Sequence, residues 1–211
     1  MNYLDYVKPV NNISKIIYHL RETSESHFLS TDQHVHWIVD DISYLYFFDE
    51  GEVSVMKKGS NILISRVCKQ HIFGFAEFFQ SGLSQTYLRV DKPTCLYRIS
   101  AVKALSIIDE KFLWQDVAIL LAFHINYLTY RDSRLTHPRA YSTIKNCLEE
   151  LYFNYDENVR LKIKVIDYIQ ERTFLSRSSI LNILSALSKG GYISLRNGGY
   201  LVSLKKLPNG F

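Results

Sequence analysis

Ser176-Arg177-Ser178-Ser179 sets three hydroxyls around a guanidinium, and an amide follows at Asn182. These groups suit the reading of a nucleic-acid duplex. Arginine can donate twice to guanine O6 and N7, asparagine can bond adenine in the same two-point way, and serine serves bases or phosphates. Ile180, Ile183, Leu184 and Leu187 recur behind them at helical spacing, so the polar groups are expected near the outer face of a helix's first turns. Ser176 is the expected N-cap. Gly190-Gly191 stops the helix, and Asn197-Gly198-Gly199 joins two alternating segments into a hairpin. A recognition helix followed by a wing is written this way. Winged helices also make protein contacts, which is the competing reading of the same residues.

Other groups suggest different chemistry. His34-Val35-His36, with Asp40 and His71 further on, has the residue types of a metal site. Alternate histidines on a strand share a face, as ligands must. A cupin-like metal-dependent enzyme is the alternative this raises, but the flanking glycines and second motif of such enzymes are missing. Surface or core histidines are expected instead, with no metal and no cofactor. Cys68, Cys95 and Cys147 are odd in number and widely spaced, without CxxC. They indicate a reducing cytoplasm, with Cys68 and Cys95 expected in the core. Asp109, Glu110 and Glu149-Glu150 are charged helical positions. No Ser-His-Asp pattern or phosphate-cradling glycine loop is present, so no enzyme is expected.

The charge is uneven. The chain of 211 residues carries a formal net charge of +4. Between residues 160 and 206, nine Lys and Arg face two acids, Asp167 and Glu171. Positive charge confined to one segment points to a polyanion partner. No apolar run approaches the ~18 residues of a membrane span, and the first residues lack the pattern of a signal peptide.

The elements that must position these groups follow from periodicity. Ile13, Ile16, Ile17 and Leu20 share one helical face, with Asn12 as the expected cap. Residues 37–99 contain short β-branched and aromatic runs divided by turns at 49–52, 58–61, 80–82 and 91–93, which suggests a β-roll. Residues 101–135 switch to helical spacing. Val117, Leu121, His124, Leu128, Arg131 and Leu135 follow a 4-3-4-3-4 pattern, a heptad seam for pairing two copies. Thr136-His137-Pro138-Arg139 is the expected boundary. A helix over about 140–153 and another over 163–172 then lead to the recognition helix. The expected class is α+β: a β-roll unit with an N-terminal helix over 1–100, a dimerisation helix over 101–135, and a winged helix-turn-helix over 136–211.

The run Ser176-Arg177-Ser178-Ser179-Ile180 through Lys189-Gly190-Gly191-Tyr192-Ile193 resembles the recognition helix and wing of the CRP/FNR superfamily of bacterial transcription regulators. The order of parts matches over most of the chain. Residues 168–179 are similar to the IprA-type enterobacterial branch. The resemblance implies a homodimer on a two-fold symmetric promoter site, with RNA polymerase as a further partner. Arg177, Ser178 and Asn182 would read bases; Ser176, Ser179, Lys164, Lys189 and Arg196 would hold the DNA backbone. It also implies a ligand pocket in the roll at Gly74, Phe75, Glu77, Gln85 and Thr86. There the chain departs from the family: Gln85-Thr86 replaces the Arg-Ser pair that binds a cyclic phosphate. Without that arginine a buried phosphate lacks its charge partner, so cyclic AMP is not an expected ligand. The cysteine cluster of iron–sulfur members is absent as well. Gln170 and Phe174 replace a small residue and a turn glycine of the helix-turn-helix.

Overall fold

The computed structural model describes residues 7–79, 85–135, 140–196 and 198–208. The turn at 80–82, Ser84, the boundary at 136–139 and Asn197 lie outside the described residues. The chain forms two compact units, Val7–Asn126 and the part from Tyr127 onward. Among the described residues no helix is long and apolar enough to cross a membrane.

The first unit opens with α1 (Val10–Arg21), which buries Ile13, Ile16, Ile17 and Leu20 as the stripe requires. Asn12 is not its cap. Pro9 holds that position, and the Asn12 amide donates to Asp116 Oδ1 at 2.7 Å. The strands follow: β1 (Glu25–Leu29), β2 (His34–Val35), β3 (Ile38–Val39), β4 (Ile42–Lys57), β5 (Leu63–Phe73), β6 (Thr86–Lys92) and β7 (Thr94–Ser100), with α2 (Phe75–Phe79) between β5 and β6. Strand β4 is the spine. Its first half pairs with β7, its second half with β6, and its other edge with β5, all antiparallel. A bulge between Glu50 and Val53 lets one long strand serve both halves. Gly51 is required there: its φ is +142°, and a Cβ would lie 2.2 Å from Thr94 Oγ1.

Alternation along β4 divides two cores. Leu45 and Phe47 face the helices, packing with α1, Ile72 and Ile99. Tyr46 and Phe48 face the other way, into a cluster with Trp37, Val53, Phe73, Leu88 and Leu96. The roll begins earlier than residue 37, because β1 pairs with β7 and β2 with β6.

The expected single helix over 101–135 is two, α3 (Ala101–Glu110) and α4 (Trp114–Leu135). Phe112 takes a left-handed φ of +54° between them. The break carries Leu113 into full burial. Helix α4 continues from the first unit into the second.

In the second unit, α5 (Ala140–Asn154) buries Ile144, Leu148 and Leu151. A short α6 (Glu157–Arg160) is capped by Asp156, whose side chain accepts from Val159 N. Helix α7 (Val165–Arg172), α8 (Arg177–Lys189) and the hairpin β8 (Ile193–Arg196) and β9 (Tyr200–Leu204) complete it. One core joins them, including Ile169, Ile180, Leu187, Ile193 and Leu201. Lys164 makes an isolated bridge to Tyr200, which ties the start of α7 to the wing.

The heptad seam is not one exposed face. Val117 is 1% exposed in the core of the first unit. Leu121 packs against that core, and His124 meets His71. Arg131 is partly buried, and Leu135 packs on the core of the second unit. Only Leu128 of the six is exposed. The exposed stripe of α4 is shifted by one position: Ala118, Ala122, Ile125 and Thr129, flanked by Ile119. A seam written in periodicity alone does not say which of two neighbouring stripes the protein's own core will take.

Candidate nucleic-acid interface

Helix α8 is closed at both ends by its own residues. Ser176 Oγ accepts from Ser179 N at 3.2 Å, so the expected cap forms. At the other end Gly191 N donates to Ser188 O and Tyr192 N to Leu187 O, the paired bonds of a Schellman stop. The left-handed residue is Gly191, at φ +70°, while Gly190 stays helical. Ile180, Leu184 and Leu187 are buried against the core, and Ile183 is half-buried.

The opposite face is open. Arg177, Ser178, Leu181, Asn182, Ser185, Ser188 and Lys189 are all exposed. The sequence-predicted readers Arg177, Ser178 and Asn182 therefore share one accessible surface. Arg177 Nη1 donates to Gln170 Oε1 at 3.3 Å, so the unexpected glutamine of α7 steadies the guanidinium across the turn. Ser176 is exposed and Ser179 half-buried; their hydroxyls bond each other at 2.9 Å. Phe174, where a turn glycine was expected, is largely exposed. Thr173 Oγ1 closes this turn by donating to Ile169 O at 2.8 Å.

Lys164, Lys189 and Arg196 are exposed, and so are Lys162, Lys205 and Lys206. Two of the nine basic residues between 160 and 206 are buried. Arg160 is buried and donates to Leu201 O at 2.9 Å and to Val202 O, Tyr152 O and Tyr155 O. Arg172 is buried over the Tyr168 ring at 3.6 Å. A groove of about 460 Å³ runs between α8 and the wing, bordered by Arg177, Leu181, Ser185, Lys189, Gly198 and Gly199.

The implied ligand pocket has become an internal network. Glu77 Oε1 accepts from Thr86 Oγ1 at 2.9 Å, and Thr86 Oγ1 accepts from Trp37 Nε1 at 3.0 Å. Trp37 is 3% exposed and belongs to the aromatic cluster of the roll. Phe75 is buried in the other core. Gly74 has φ +103° where a Cβ would meet Tyr44 O at 2.8 Å. Gln85 O accepts from Lys58 N at 2.7 Å. Trp37, between β2 and β3, was the residue missed in the sequence, and its signal is a tryptophan entering a roll whose phosphate partners are gone.

His34 and His36 lie on the same ring, Tyr87, at centroid distances of 4.7 and 6.0 Å. His71 does not join them. Its Nε2 lies 3.0 Å from His124 Nε2. Asp40 occupies a turn with φ +50°. Among the described residues no group of three or more His, Cys, Asp or Glu is arranged to hold a metal. Cys68 and Cys95 are exposed, contrary to the expected core packing, whereas Cys147 is buried. Burial pushes the Cys147 thiol up to about 12.

The winged helix-turn-helix DNA-binding family matches residues 140–209. The inhibitor of hydrogen peroxide resistance of Salmonella typhimurium is 34% identical over 160 residues, covering 76% of each chain. Its Escherichia coli K12 counterpart is 32% identical over 164 residues, again 76% of each. Among solved structures, the c-di-GMP responsive regulator CLP of Xanthomonas campestris superposes with a TM-score of 0.73 at 17% identity, over 92% of this chain and 100% of that one. A CRP/FNR-family protein of Eubacterium rectale gives 0.70 at 14%, over 95% of each. The chain therefore has the fold of the CRP/FNR-type transcription regulators, carries a winged helix-turn-helix DNA-binding domain, and belongs to the IprA-type family of inhibitors of hydrogen peroxide resistance.

Proposed function

We propose that the chain is a cytoplasmic, homodimeric transcription regulator that reads a two-fold symmetric promoter site without cyclic AMP. The observation that carries this is the open face of α8, where Arg177, Ser178 and Asn182 stand exposed on a helix closed at both ends. In this reading Arg177, Ser178 and Asn182 contact base edges. Ser176, Ser179, Lys164, Lys189 and Arg196 hold the phosphates, and Lys162, Lys205 and Lys206 add to the field. A dimer pairs α4 with its copy through Ala118, Ala122, Ile125 and Thr129, whose 4-3-4 spacing and small residues suit close approach of two helices. The buried Trp37 supports independence from cyclic AMP, and the regulator fold supports a role other than catalysis. RNA polymerase is the partner an activator would engage.

Salt-dependent binding to promoter fragments tests the reading. Arg177→Ala is expected to lose about 1–3 kcal/mol per half-site and to relax sequence preference. Arg196→Ala is expected to weaken all sequences alike and to lower the slope of log K against log salt by about 1 for each phosphate no longer neutralised. Sequence-specific binding that is identical in wild type and Arg177→Ala sinks the assigned reader. A winged helix used for protein contacts binds no specific DNA at all.

A further inference from the structure

Helix α8 carries one aliphatic side chain on its polar face. Leu181 is 47% exposed, one turn beyond Arg177 and one turn before Ser185. Exposed polar side chains flank it on the helix, Ser178, Asn182 and Ser185, while the groove that it borders is floored by Ile166, Leu184 and Leu195, with Gly198 and Gly199 on the wing side. The inward stripe does not need it, since Ile180, Leu184 and Leu187 fill the core. A leucine among base readers has no hydrogen bond to offer. The apolar feature that a base pair presents in the major groove is the C5-methyl group of thymine.

We propose that Leu181 is a specificity-determining residue that recognises a thymine methyl beside the base contacted by Arg177. This rests on the DNA-reading role proposed above. The rise of an α-helix puts Arg177 and Ser185 about 12 Å apart along the axis, with Leu181 midway. The neighbouring cations Arg177 and Lys189 favour a polyanionic duplex over an apolar protein surface at this groove.

The test uses the full chain and a duplex selected by it from random sequences. Each thymine of the selected duplex is replaced in turn, in both half-sites, by uracil, which removes only the methyl. At one symmetric position wild type is expected to lose about fourfold per half-site, or about fifteenfold for the pair, as burial of one methyl implies. Leu181→Ala is expected to bind the thymine duplex as weakly as wild type binds the uracil duplex, and to make no distinction between them. Specific binding that is indifferent to every uracil replacement overturns the assignment to Leu181 while leaving DNA reading intact. So does a Leu181→Ala protein that still prefers thymine. If selection enriches no sequence, the DNA-reading proposal fails and this inference fails with it.

Discussion

Arg160 illustrates how a charge counted as surface in a sequence can be interior in the fold. Its guanidinium spans four backbone carbonyls, two in α5 and its exit and two on β9. It also sits 4.5 Å over the Tyr152 ring. The side chain closes the hairpin onto the helices, so the wing is held by a buried ion. Arg160→Met would leave those carbonyls without their donor, and a loss of roughly 2–4 kcal/mol in folding stability is expected. A lower urea midpoint with an unchanged slope checks this. Arg160→Lys should recover little, because a point ammonium does not reproduce the planar fork. If Arg160→Met instead weakens DNA binding in proportion to salt at unchanged stability, the residue belongs to the interface. By contrast, Ser176 was legible from sequence because a cap is a local device: one hydroxyl, three residues from its amide. Its loss in Ser176→Ala is expected to cost about 1 kcal/mol, measurable as a shift in thermal midpoint.

At the level of elements, α4 shows both what periodicity reveals and what it hides. Its apolar spacing was visible, but two adjacent stripes satisfy it, and the first unit's core claims the one through Val117 and Leu121. Packing across distant segments decided between them, and that is not encoded locally. The pairing of β1 with β7 escaped notice for a related reason: its residues are mostly exposed and show little alternation. The winged-helix elements were easier to read because caps, glycine stops and helical stripes lie close together in the chain. The same distant packing created the His71–His124 contact between β5 and α4. His71 is almost wholly buried, and its Nδ1 has no hydrogen-bond partner. Phe73 and Phe123 enclose the pair. Burial lowers both histidines, with Lys8 adding to it, and His124 falls from the ordinary value of 6.5 to about 4. The folded state therefore binds fewer protons than the unfolded chain between these values. The contribution is fully present above pH 6.5 and is lost as pH falls toward 4 and below. By pH 5 His124 alone is expected to remove on the order of 2 kcal/mol of stability. Urea midpoints at pH 7 and pH 5 should diverge in wild type and converge in a His71→Phe, His124→Leu variant. Equal divergence in both proteins rejects the pair as the cause. The proposed seam has its own check: Ile125→Glu places a charge at the centre of the exposed stripe. It should yield a monomer by sedimentation and a weaker DNA complex.

For the whole molecule, the question is whether the roll still controls the reader through a ligand. A cyclic nucleotide needs an empty interior and a cation for its phosphate. The interior is occupied by Trp37 within a cluster containing Tyr46, Phe48 and Phe73, and its indole N–H is already bonded to Thr86, which in turn bonds Glu77. To admit a ligand, the protein would have to expel a buried tryptophan and release two hydrogen bonds. Loss of a large buried aromatic typically costs about 3–5 kcal/mol, more than a factor of a hundred in affinity. Gln85-Thr86 also offers no charge of its own to meet a phosphate. The expected outcome is that the purified chain binds its selected operator at full strength with no nucleotide present. Cyclic AMP should then give no heat in a calorimeter, no change in DNA affinity and no change in tryptophan emission. Trp37→Ala removes the occupant and supplies the control: it should lower stability by the amount above yet still gain no cyclic AMP affinity, because the phosphate partner remains absent. A nucleotide-dependent rise in operator affinity in wild type would mean that Trp37 moves on binding, and that the roll is a sensor after all.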